Sequence, residues 1–215
     1  MSELHSNINF GKIKNIIFDL GGVIMDIDIN SAFAKLAAIS GMDLQDIRNM
    51  FFNNTQWQLH EIGKLTDSEL INYINTTLHI HIKEAEFYQI WNSILKHIPG
   101  ERIDLINKLS KKYQIYILSN TNKAHIDHID TYMNTHFGMK HLSMLVTKAY
   151  YSYEIGKRKP NIDIYDYVLA DAQLAPHETV FIDDSLENVL SAQKSGIITI
   201  HLTPPATINT LLQHA

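Results

Sequence analysis

Polar residues that could bind and cleave a phosphate ester occur at four separate places in the chain. They are Asp19, the pair Ser119-Asn120, Lys159 and the pair Asp183-Asp184. Transfer of a phosphoryl group needs a nucleophile, hydrogen-bond donors, a fixed cation and a metal site at one point. These residue types supply each requirement if the fold brings them together.

Asp19 is the candidate nucleophile. It closes the apolar segment 13–18, which predicts a position at the end of a buried strand. A carboxylate is ionised at neutral pH and needs no base to activate it for attack on phosphorus. An aspartate in this place could instead only cap a turn, but the other three groups favour the catalytic interpretation.

The adjacent acids Asp183 and Asp184, together with Asp19, are the candidate metal ligands. Their carboxylate oxygens are hard ligands of the kind that Mg²⁺ prefers. The two side chains repel each other unless a cation compensates their charge. The alternative interpretation is that one of them caps the helix that begins near Leu186.

Three further residues, Ser119, Asn120 and Lys159, are candidates for phosphate binding. The first two lie between an apolar segment and a helix, where side-chain and backbone donors can face an anion. Lys159 carries a compact charge that could neutralise the transferred group. Among the basic residues 157–159 we expect Lys159 to point inward, with Arg158 as a helper. Helix capping and a solvated basic loop are the alternatives.

The hydrophobic pattern predicts the elements that hold these residues. Short apolar segments predict strands at 13–18, 114–118, 143–146, 179–182 and 197–202. Helical periodicity predicts four successive helices at 32–39, 44–52, 68–78 and 84–98. Further helices at 102–112, 122–133, 162–170 and 186–195, and a short surface helix in the tail 203–215, follow later in the chain. Alternation of strand and helix predicts an α/β fold with a doubly wound parallel sheet.

The run of four helices interrupts that alternation and therefore predicts an insertion. We expect an α/β core domain of residues 1–28 and 100–215, and an all-helical domain of residues 29–99. The carboxyl ends of parallel strands meet at one edge of a sheet. The polar residues that follow the strands should therefore converge at that edge.

Composition argues against several other classes of protein. The 215 residues carry a formal charge of −5 and no basic cluster beyond residues 157–159, so nucleic-acid binding is not expected. The lack of cysteine excludes disulfides and thiolate sites and suits a reducing compartment. Residues 1–10 have no apolar region typical of a signal peptide, and no apolar run is long enough to cross a bilayer. We expect a cytoplasmic protein that does not bind membranes.

Four segments, in their order along the chain, resemble the motifs of the haloacid dehalogenase superfamily of phosphohydrolases. They are FDLGGVI at 18–24, SN at 119–120, GKRKP at 156–160 and FIDD at 181–184. The helical insert resembles the C1-type cap domain, and Glu61-Ile62-Gly63 with Thr66-Asp67 resembles a motif common in such caps. Within the superfamily, the first segment is similar to the FDLGxV motif of small sugar-phosphate phosphatases.

The resemblance implies a Rossmann-like core and a Mg²⁺-dependent reaction in which Asp19 is transiently phosphorylated. It implies that Asp184 binds the metal directly, that Asp183 acts through a metal-bound water, and that the backbone carbonyl of Gly21 completes the protein ligands. We expect a phosphatase for a small phosphorylated metabolite, above all a sugar phosphate, acting as a monomer or homodimer. A phosphoglucomutase-like phosphotransferase remains an alternative. A hydrolytic dehalogenase would not need the acidic pair.

The chain departs from the resembling phosphatases at Gly21, where most of them have a second aspartate that protonates the leaving alcohol. Three explanations stay open: a leaving group that departs without help, a proton from water or from the cap, or a protein that binds phosphate without turnover. The first predicts a preference for sugar 1-phosphates over 6-phosphates, since an anomeric hydroxyl is more acidic. Asp26 and Asp28 could be considered as substitutes, but a structural role in the turn is favoured for Asp26.

The histidines and the aromatic residues of the insert carry weaker signals. His79, His81, His125 and His128 show possible metal-ligand spacing but lack a third ligand, so we expect surface positions. Phe51, Phe52, Trp57, Phe87 and Trp91 are expected to form the core of the cap. Gln56, Trp57, His60 and Glu61 are candidates for contact with substrate, with no role assigned to any of them.

Overall fold

A computed structural model describes residues 8–51 and 54–213. It contains a sheet of five strands, β1 Asn15–Phe18, β2 Gln114–Ser119, β3 Lys148–Tyr151, β4 Thr179–Asp183 and β5 Ile198–His201. The sheet is fully parallel, and the strand order across it is β3-β2-β1-β4-β5. The first strand, β1, is central, and β2 and β3 follow on one side of it before β4 and β5 on the other. This order confirms the predicted doubly wound sheet. The described residues leave out 1–7, 52–53 and 214–215. Parts of three predictions fall there: those for the N-terminal segment, for the second helix of the insert and for the tail.

The helices include a counterpart of each predicted one, together with two short helices, at 55–61 and 152–155, that were not predicted. They are α1 Asn30–Ser40, α2 Leu44–Phe51, α3 Thr55–Glu61, α4 Asp67–Leu78, α5 Glu84–Trp91, α6 Gly100–Leu109, α7 Lys123–Phe137, α8 Ser152–Ile155, α9 Ile162–Asp171, α10 Leu186–Lys194 and α11 Ile208–Leu211. No helix within the described ranges combines the length and the apolar content that a membrane crossing requires.

One predicted strand was wrong. Residues 143–146 do not form a strand, because a 3₁₀ turn spans Leu142–Leu145 and β3 begins only at Lys148. Leu142 and Leu145 are both buried, and their spacing of three places both side chains on the inner side of such a turn. A short apolar run with this spacing is easily mistaken for a strand.

The sequence also failed to predict α3, a seven-residue helix in the insert. The Asn54 side chain caps it by accepting a hydrogen bond from the Gln56 N–H. The helix is short and mostly polar, so it leaves little periodic signal. It nevertheless carries all four candidate substrate contacts, Gln56, Trp57, His60 and Glu61.

The helices of the insert pack around their own apolar cluster. Phe33, Phe51, Phe87 and Trp91 are buried there, and Trp57 packs against the cluster while partly buried. The cluster is separate from the two apolar clusters that cover the faces of the sheet. The insert therefore has its own core, in agreement with the expectation for Phe51, Trp57, Phe87 and Trp91, while Phe52 lies outside the described residues.

His125 was expected at the surface, and this prediction was wrong, whereas His79, His81 and His128 are exposed. His125 lies on α7 of the core and is buried against the cap helix α5. Its ring stacks on Trp91 with centroids 5.6 Å apart, and its Nε2 lies 3.2 Å from the Trp91 carbonyl oxygen. Burial lowers the pKa of His125 from 6.5 to about 4. His125 therefore packs as a neutral ring between core and cap.

We predict that acid destabilises the protein through His125. Between pH 6.5 and pH 4 the unfolded chain protonates this histidine and the folded protein does not, so stability falls as the pH falls through this range. The loss should be on the order of 3 kcal/mol at the acid end. Urea unfolding at a series of pH values measures it. His125→Phe should flatten the pH dependence, and His128→Asn, on the same helix but exposed, should retain it. Equal slopes for all three proteins would contradict the prediction.

Candidate active site

The central strand and its two neighbours bring the candidate residues to one edge of the sheet. Phe18 of β1 pairs with Ile117 of β2 on one side and Ile182 of β4 on the other. Asp19 follows Phe18 directly, and its N–H donates to the Ile182 carbonyl at 2.9 Å. The ends of these strands therefore lie side by side, as the sequence predicted from their polar end residues.

Lys159 forms ion pairs with an acidic residue at the end of β1 and with another at the end of β4. Its Nζ lies 2.8 Å from Asp19 Oδ1 and 2.7 Å from Asp183 Oδ2. The side chain is 1% exposed, so this cation is almost completely removed from water. Burial acts to lower the pKa of Lys159, but attraction to Asp183 and Asp19 outweighs it and the pKa is raised. Lys159 thus remains a fixed positive charge.

Asp19 is buried beside this cation. Burial raises the pKa of the Asp19 carboxyl to about 8, with Asp183 and Asp184 adding to the rise and Lys159 opposing it. The Leu20 N–H donates to Asp19 Oδ1 at 2.6 Å. A cation placed near the acids would favour the ionised carboxylate, because it would compensate the charge that burial penalises.

Asp19, Asp183 and Asp184 form a group that could hold a metal ion. Each offers a carboxylate oxygen, and these atoms lie within 4.8 Å of one another. Asp183 and Asp19 are buried, whereas Asp184 is exposed. Although Asp184 is exposed as a residue, partial burial of its carboxyl group raises its pKa, and the charge of Asp183 raises it further. An all-carboxylate set of hard oxygens fits a small divalent cation such as Mg²⁺.

The two adjacent acids differ in how far their oxygens are occupied. Asp183 Oδ1 accepts from the Ser185 N–H at 2.8 Å and from Asn188 Nδ2 at 3.0 Å. Its Oδ2 accepts from Lys159 and, at 3.1 Å, from the same Asn188 amide. Asp183 is therefore held by the protein on both oxygens, while Asp184 is the more open of the two towards a metal ion.

Asn188 is a site residue that sequence analysis missed. It lies on α10, five positions after Asp183, and its amide reaches back to both oxygens of that carboxylate. The only signal in the sequence is an asparagine in the first turn of a helix that follows an acidic pair. That signal is weak, since asparagine is common near helix starts.

Asn120 has a structural role that the sequence did not predict. Its Nδ2 donates to the Lys159 carbonyl oxygen at 2.8 Å, and its Oδ1 accepts from the Lys159 N–H at 2.9 Å. The amide thus holds the backbone of Lys159 with one of its two N–H groups, and binding of phosphate by Asn120 stays a prediction. Ser119 is buried next to it, with its Oγ 3.5 Å from the Asn120 carbonyl oxygen, too long for a strong bond. The Ser119 hydroxyl thus keeps its predicted capacity to face an anion.

The three basic residues of the loop before α9 point in different directions. Lys159 enters the site as described, in agreement with the expectation that it points inward. Lys157 Nζ pairs at the surface with Asp163 Oδ2 at 2.6 Å. Arg158 Nε donates to Glu61 Oε2 at 2.9 Å, across to the end of α3 in the insert. Arg158 therefore links the core to the cap and is not seen among the partners of Asp19.

Two glycines follow Asp19, and the structure explains both. Gly22 has φ +76°, and a Cβ on it would lie far inside the contact distance of Asp184 Oδ2. Any other residue at position 22 would displace the Asp184 carboxylate. At Gly21 a Cβ would lie 3.1 Å from Ile27 Cδ1, so the side chain of Ile27 occupies the place of a second aspartate.

Asp26 does not replace that missing acid. Its Oδ1 lies 2.8 Å from Arg102 Nη1 and its Oδ2 lies 3.4 Å from His97 Nε2. Its backbone also bonds to His97 and Lys96, at the return of the chain from cap to core. Asp26 thus fastens the junction of cap and core, in agreement with the structural role favoured for it.

The sequence is similar to a family of hydrolases and to individual phosphatases. Residues 13–196 match a family model described as haloacid dehalogenase-like hydrolase. D-ribitol-5-phosphate phosphatase from Bacteroides thetaiotaomicron is 30% identical over 187 residues, covering 87% of this chain and 90% of the relative. Sesquiterpene phosphatase from Aspergillus oryzae is 23% identical over 205 residues, covering 88% of this chain and 90% of the relative.

A solved structure agrees with the fold. It is a haloacid dehalogenase family enzyme from Bacteroides thetaiotaomicron in complex with magnesium and inorganic phosphate. It superimposes with a TM-score of 0.83 at 32% identity, covering 93% of this chain and 98% of the other.

The contact between Gly22 and Asp184 yields a prediction about metal binding. Gly22→Ala should displace the Asp184 carboxylate and weaken Mg²⁺ binding by about 10- to 100-fold, the usual effect of disturbing the support of a metal ligand. Calorimetric titration with MgCl₂ measures it. Gly41→Ala is the matched control, because Gly41 has a similar φ of +71° but no atom within 4 Å of an added Cβ. If both variants bind Mg²⁺ equally well, the proposed dependence on position 22 is wrong.

Proposed function

The chain belongs to the haloacid dehalogenase-like hydrolases, and on that basis we propose that it is a Mg²⁺-dependent phosphatase of a sugar or polyol phosphate. The proposal places the reaction at Asp19, which would be phosphorylated transiently. The observation that carries it is the buried Lys159 between Asp19 and Asp183, with Asp184 completing an acidic group beside it. The relatives that act on phosphate esters, and the magnesium and phosphate complex, support the same reaction class.

In the proposed reaction, the Asp19 carboxylate forms a bond to phosphorus while the bond from phosphorus to the leaving alcohol oxygen breaks. Water then attacks the acyl phosphate, which releases inorganic phosphate and restores the carboxylate. Asp19, Asp184 and the backbone carbonyl of Gly21 would hold Mg²⁺, with Asp183 acting through a bound water. When bound, Mg²⁺ supplies the positive charge that lets an anionic phosphate approach a carboxylate.

Lys159 would stabilise the charge on the transferred group, and Ser119 would orient it. Lys159 can do so without rearrangement, because Asn120 fixes its backbone and Asp183 fixes its Nζ. Asn188 in turn fixes Asp183. Charges held in place before the reaction stabilise a transition state without the cost of reorienting them.

The leaving alcohol receives no proton from position 21, since Gly21 has no side chain and Ile27 covers it. The expected preference for sugar 1-phosphates over 6-phosphates stays a prediction, which initial rates on the two ester types would test. The name of the Bacteroides thetaiotaomicron relative points instead to an ester of a primary alcohol. A protein that binds phosphate without turnover is the second candidate, because the usual acid is missing.

The lack of cysteine fits a reducing compartment, so we also propose a cytoplasmic location. The acidic net charge of −5 gives no support for a nucleic-acid partner. A monomer or a homodimer remains our proposal for the assembly.

We predict that hydrolysis of p-nitrophenyl phosphate requires both Asp19 and Mg²⁺. Asp19→Asn should reduce kcat by at least about 10³-fold, because it removes the nucleophile, and EDTA should abolish turnover that MgCl₂ then restores. Asp127→Asn, an exposed aspartate that pairs with Lys123, is the control and should behave as wild type. Tight binding of inorganic phosphate with no turnover would instead support the second candidate.

Introducing an acid at position 21 should change how the rate of hydrolysis depends on the leaving group, provided that room is made for the new side chain. In Gly21→Asp/Ile27→Ala the new carboxyl replaces the side chain that now fills the space. We expect the rate ratio of an alkyl phosphate to p-nitrophenyl phosphate to rise by on the order of 10²-fold, since only the poor leaving group needs the proton. Ile27→Ala alone should leave the ratio unchanged. A double variant with the wild-type ratio would show that proton transfer does not limit the reaction.

A further inference from the structure

Ser152 is a buried serine at the same edge of the sheet as the acidic residues, and the proposed reaction gives it no role. Ser119 at the end of β2 pairs with Tyr151 at the end of β3, so the residues that follow these two strands lie side by side. Ser152 is the first residue of α8 and directly follows β3. The residue is fully buried. A polar side chain in such a place requires hydrogen-bond partners.

The Ser152 hydroxyl has three partner atoms but only one proton. Its Oγ accepts a hydrogen bond from the Thr121 N–H at 2.9 Å. The same Oγ lies 3.0 Å from the Thr121 carbonyl oxygen and 2.6 Å from the Glu61 carbonyl oxygen. A serine hydroxyl donates one hydrogen bond, so it can serve only one of the two carbonyls at a time. The shorter distance favours donation to Glu61 in this structure.

The Glu61 carbonyl belongs to the cap and needs a donor from outside its helix. Glu61 is the last residue of α3, and the final carbonyls of a helix have no partner within it. Two residues later, Gly63 has φ +69°, and a Cβ on it would lie 2.5 Å from the Tyr153 carbonyl oxygen. The backbones of residues 61–63 and 152–153 are therefore in close contact. We call this contact the docked position of α3.

Thr121 belongs to the segment that holds the buried cation. Immediately before it, Asn120 binds the backbone of Lys159 through both polar atoms of its amide. Ser119, which we propose orients the phosphate, lies one residue earlier. A displacement of the Thr121 backbone would therefore reach both residues through at most two peptide units.

The acceptor that the Ser152 hydroxyl uses determines how Thr121 is held. When the hydroxyl donates to Glu61, it binds Thr121 through the N–H alone. Donation also makes the hydroxyl oxygen a better acceptor for that N–H, because consecutive hydrogen bonds polarise one another. When α3 leaves its docked position, the hydroxyl rotates and donates to the Thr121 carbonyl instead. Rotation of one hydroxyl thus links the position of the cap to the backbone of Thr121.

We propose that Ser152 is a positioning residue, which sets the backbone of residues 119–121 for catalysis only while α3 is docked. The inference rests on the proposed phosphatase reaction and adds a residue to it. Ser152 acts through Thr121 and Asn120 and needs no contact with the substrate. Groups that are fixed where charge develops act mainly on the transition state, and small displacements of them are costly. Loss of the hydroxyl should therefore lower kcat more than it raises KM.

The first test removes the hydroxyl with Ser152→Ala and measures hydrolysis of p-nitrophenyl phosphate in MgCl₂. We expect kcat to fall by about tenfold while KM changes by less than about threefold. Thr179→Val is the matched control, because it also removes a fully buried hydroxyl with two partners, at the opposite end of the sheet. The control should lose stability to urea but keep the wild-type kcat. A loss of stability in Ser152→Ala with the wild-type kcat would overturn the proposal.

The second test, Gly63→Ala, examines the dependence on the cap. The added Cβ would meet backbone atoms, so it should push α3 out of its docked position. We expect kcat to fall by about tenfold in the wild type but by no more than about twofold in the Ser152→Ala background, where no hydroxyl is left to respond. Gly41→Ala, also in the cap, has a similar φ of +71° with no atom within 4 Å and should keep the wild-type kcat. Losses that multiply in the double variant would overturn the proposal.

Binding of orthovanadate separates this inference from the proposed reaction. Vanadate can adopt the five-coordinate geometry of the reacting phosphorus, so its affinity in MgCl₂, measured by calorimetry, reports on the transition state without turnover. Absence of hydrolysis of any ester by the wild type would refute the phosphatase. Vanadate binding that is about tenfold weaker in Ser152→Ala but not in Thr179→Val would still support the role of Ser152. Equal affinities of these two variants would overturn that role, whether or not the wild type hydrolyses esters.

Discussion

The arrangement of the site depends on one buried cation. Lys159 is almost fully removed from water and lies within ion-pair distance of both Asp19 and Asp183. Burial of a charge is tolerated only when partners compensate it. With Asp184 included, three carboxylates face one lysine, which leaves a formal charge of −2 that a single divalent cation would cancel. Burial is the main cause of the raised pKa of Asp19, and the charges of Asp183 and Asp184 add to it while Lys159 opposes it. Metal binding and ionisation of Asp19 are therefore two aspects of the same charge balance.

The surrounding structure serves to hold this balance in place. Asn120, at the end of β2, binds the backbone of Lys159 through both polar atoms of its amide. Asn188, on α10, binds both oxygens of Asp183. The parallel sheet supplies the frame, because β1 lies between β2 and β4 and all three end at the same edge. Residues far apart in sequence thus share one network, in which Lys159, Asp19 and Asp183 each have at least two fixed partners.

The sequence predicted some features of this site and missed others, and each outcome has a physical reason. The strand-end residues could be recognised, since apolar runs that end in polar residues place them at the sheet edge whatever the details. Roles that depend on tertiary contacts could not be predicted. The contact of the Asn120 amide with the backbone of Lys159 was missed because nothing in the sequence relates two residues that are 39 positions apart. His125 looked exposed because its stacking partner Trp91 lies in the inserted helices. The helix α3 was missed because its cap is a single asparagine.

The position of Ile27 connects the attachment of the cap with the packing beside the nucleophile. It fills the space beside Gly21 where an acid could stand, and its backbone forms a bridge with Leu95, at the return of the chain from the cap. The same junction carries Asp26, which is fastened to Arg102 of the core. The cap is thus anchored within a few residues of the nucleophile, while α3 is anchored to the core near Arg158. The residue that packs beside Gly21 thus belongs to the junction that attaches the cap, so a change in how the cap is attached there would alter the surroundings of the nucleophile.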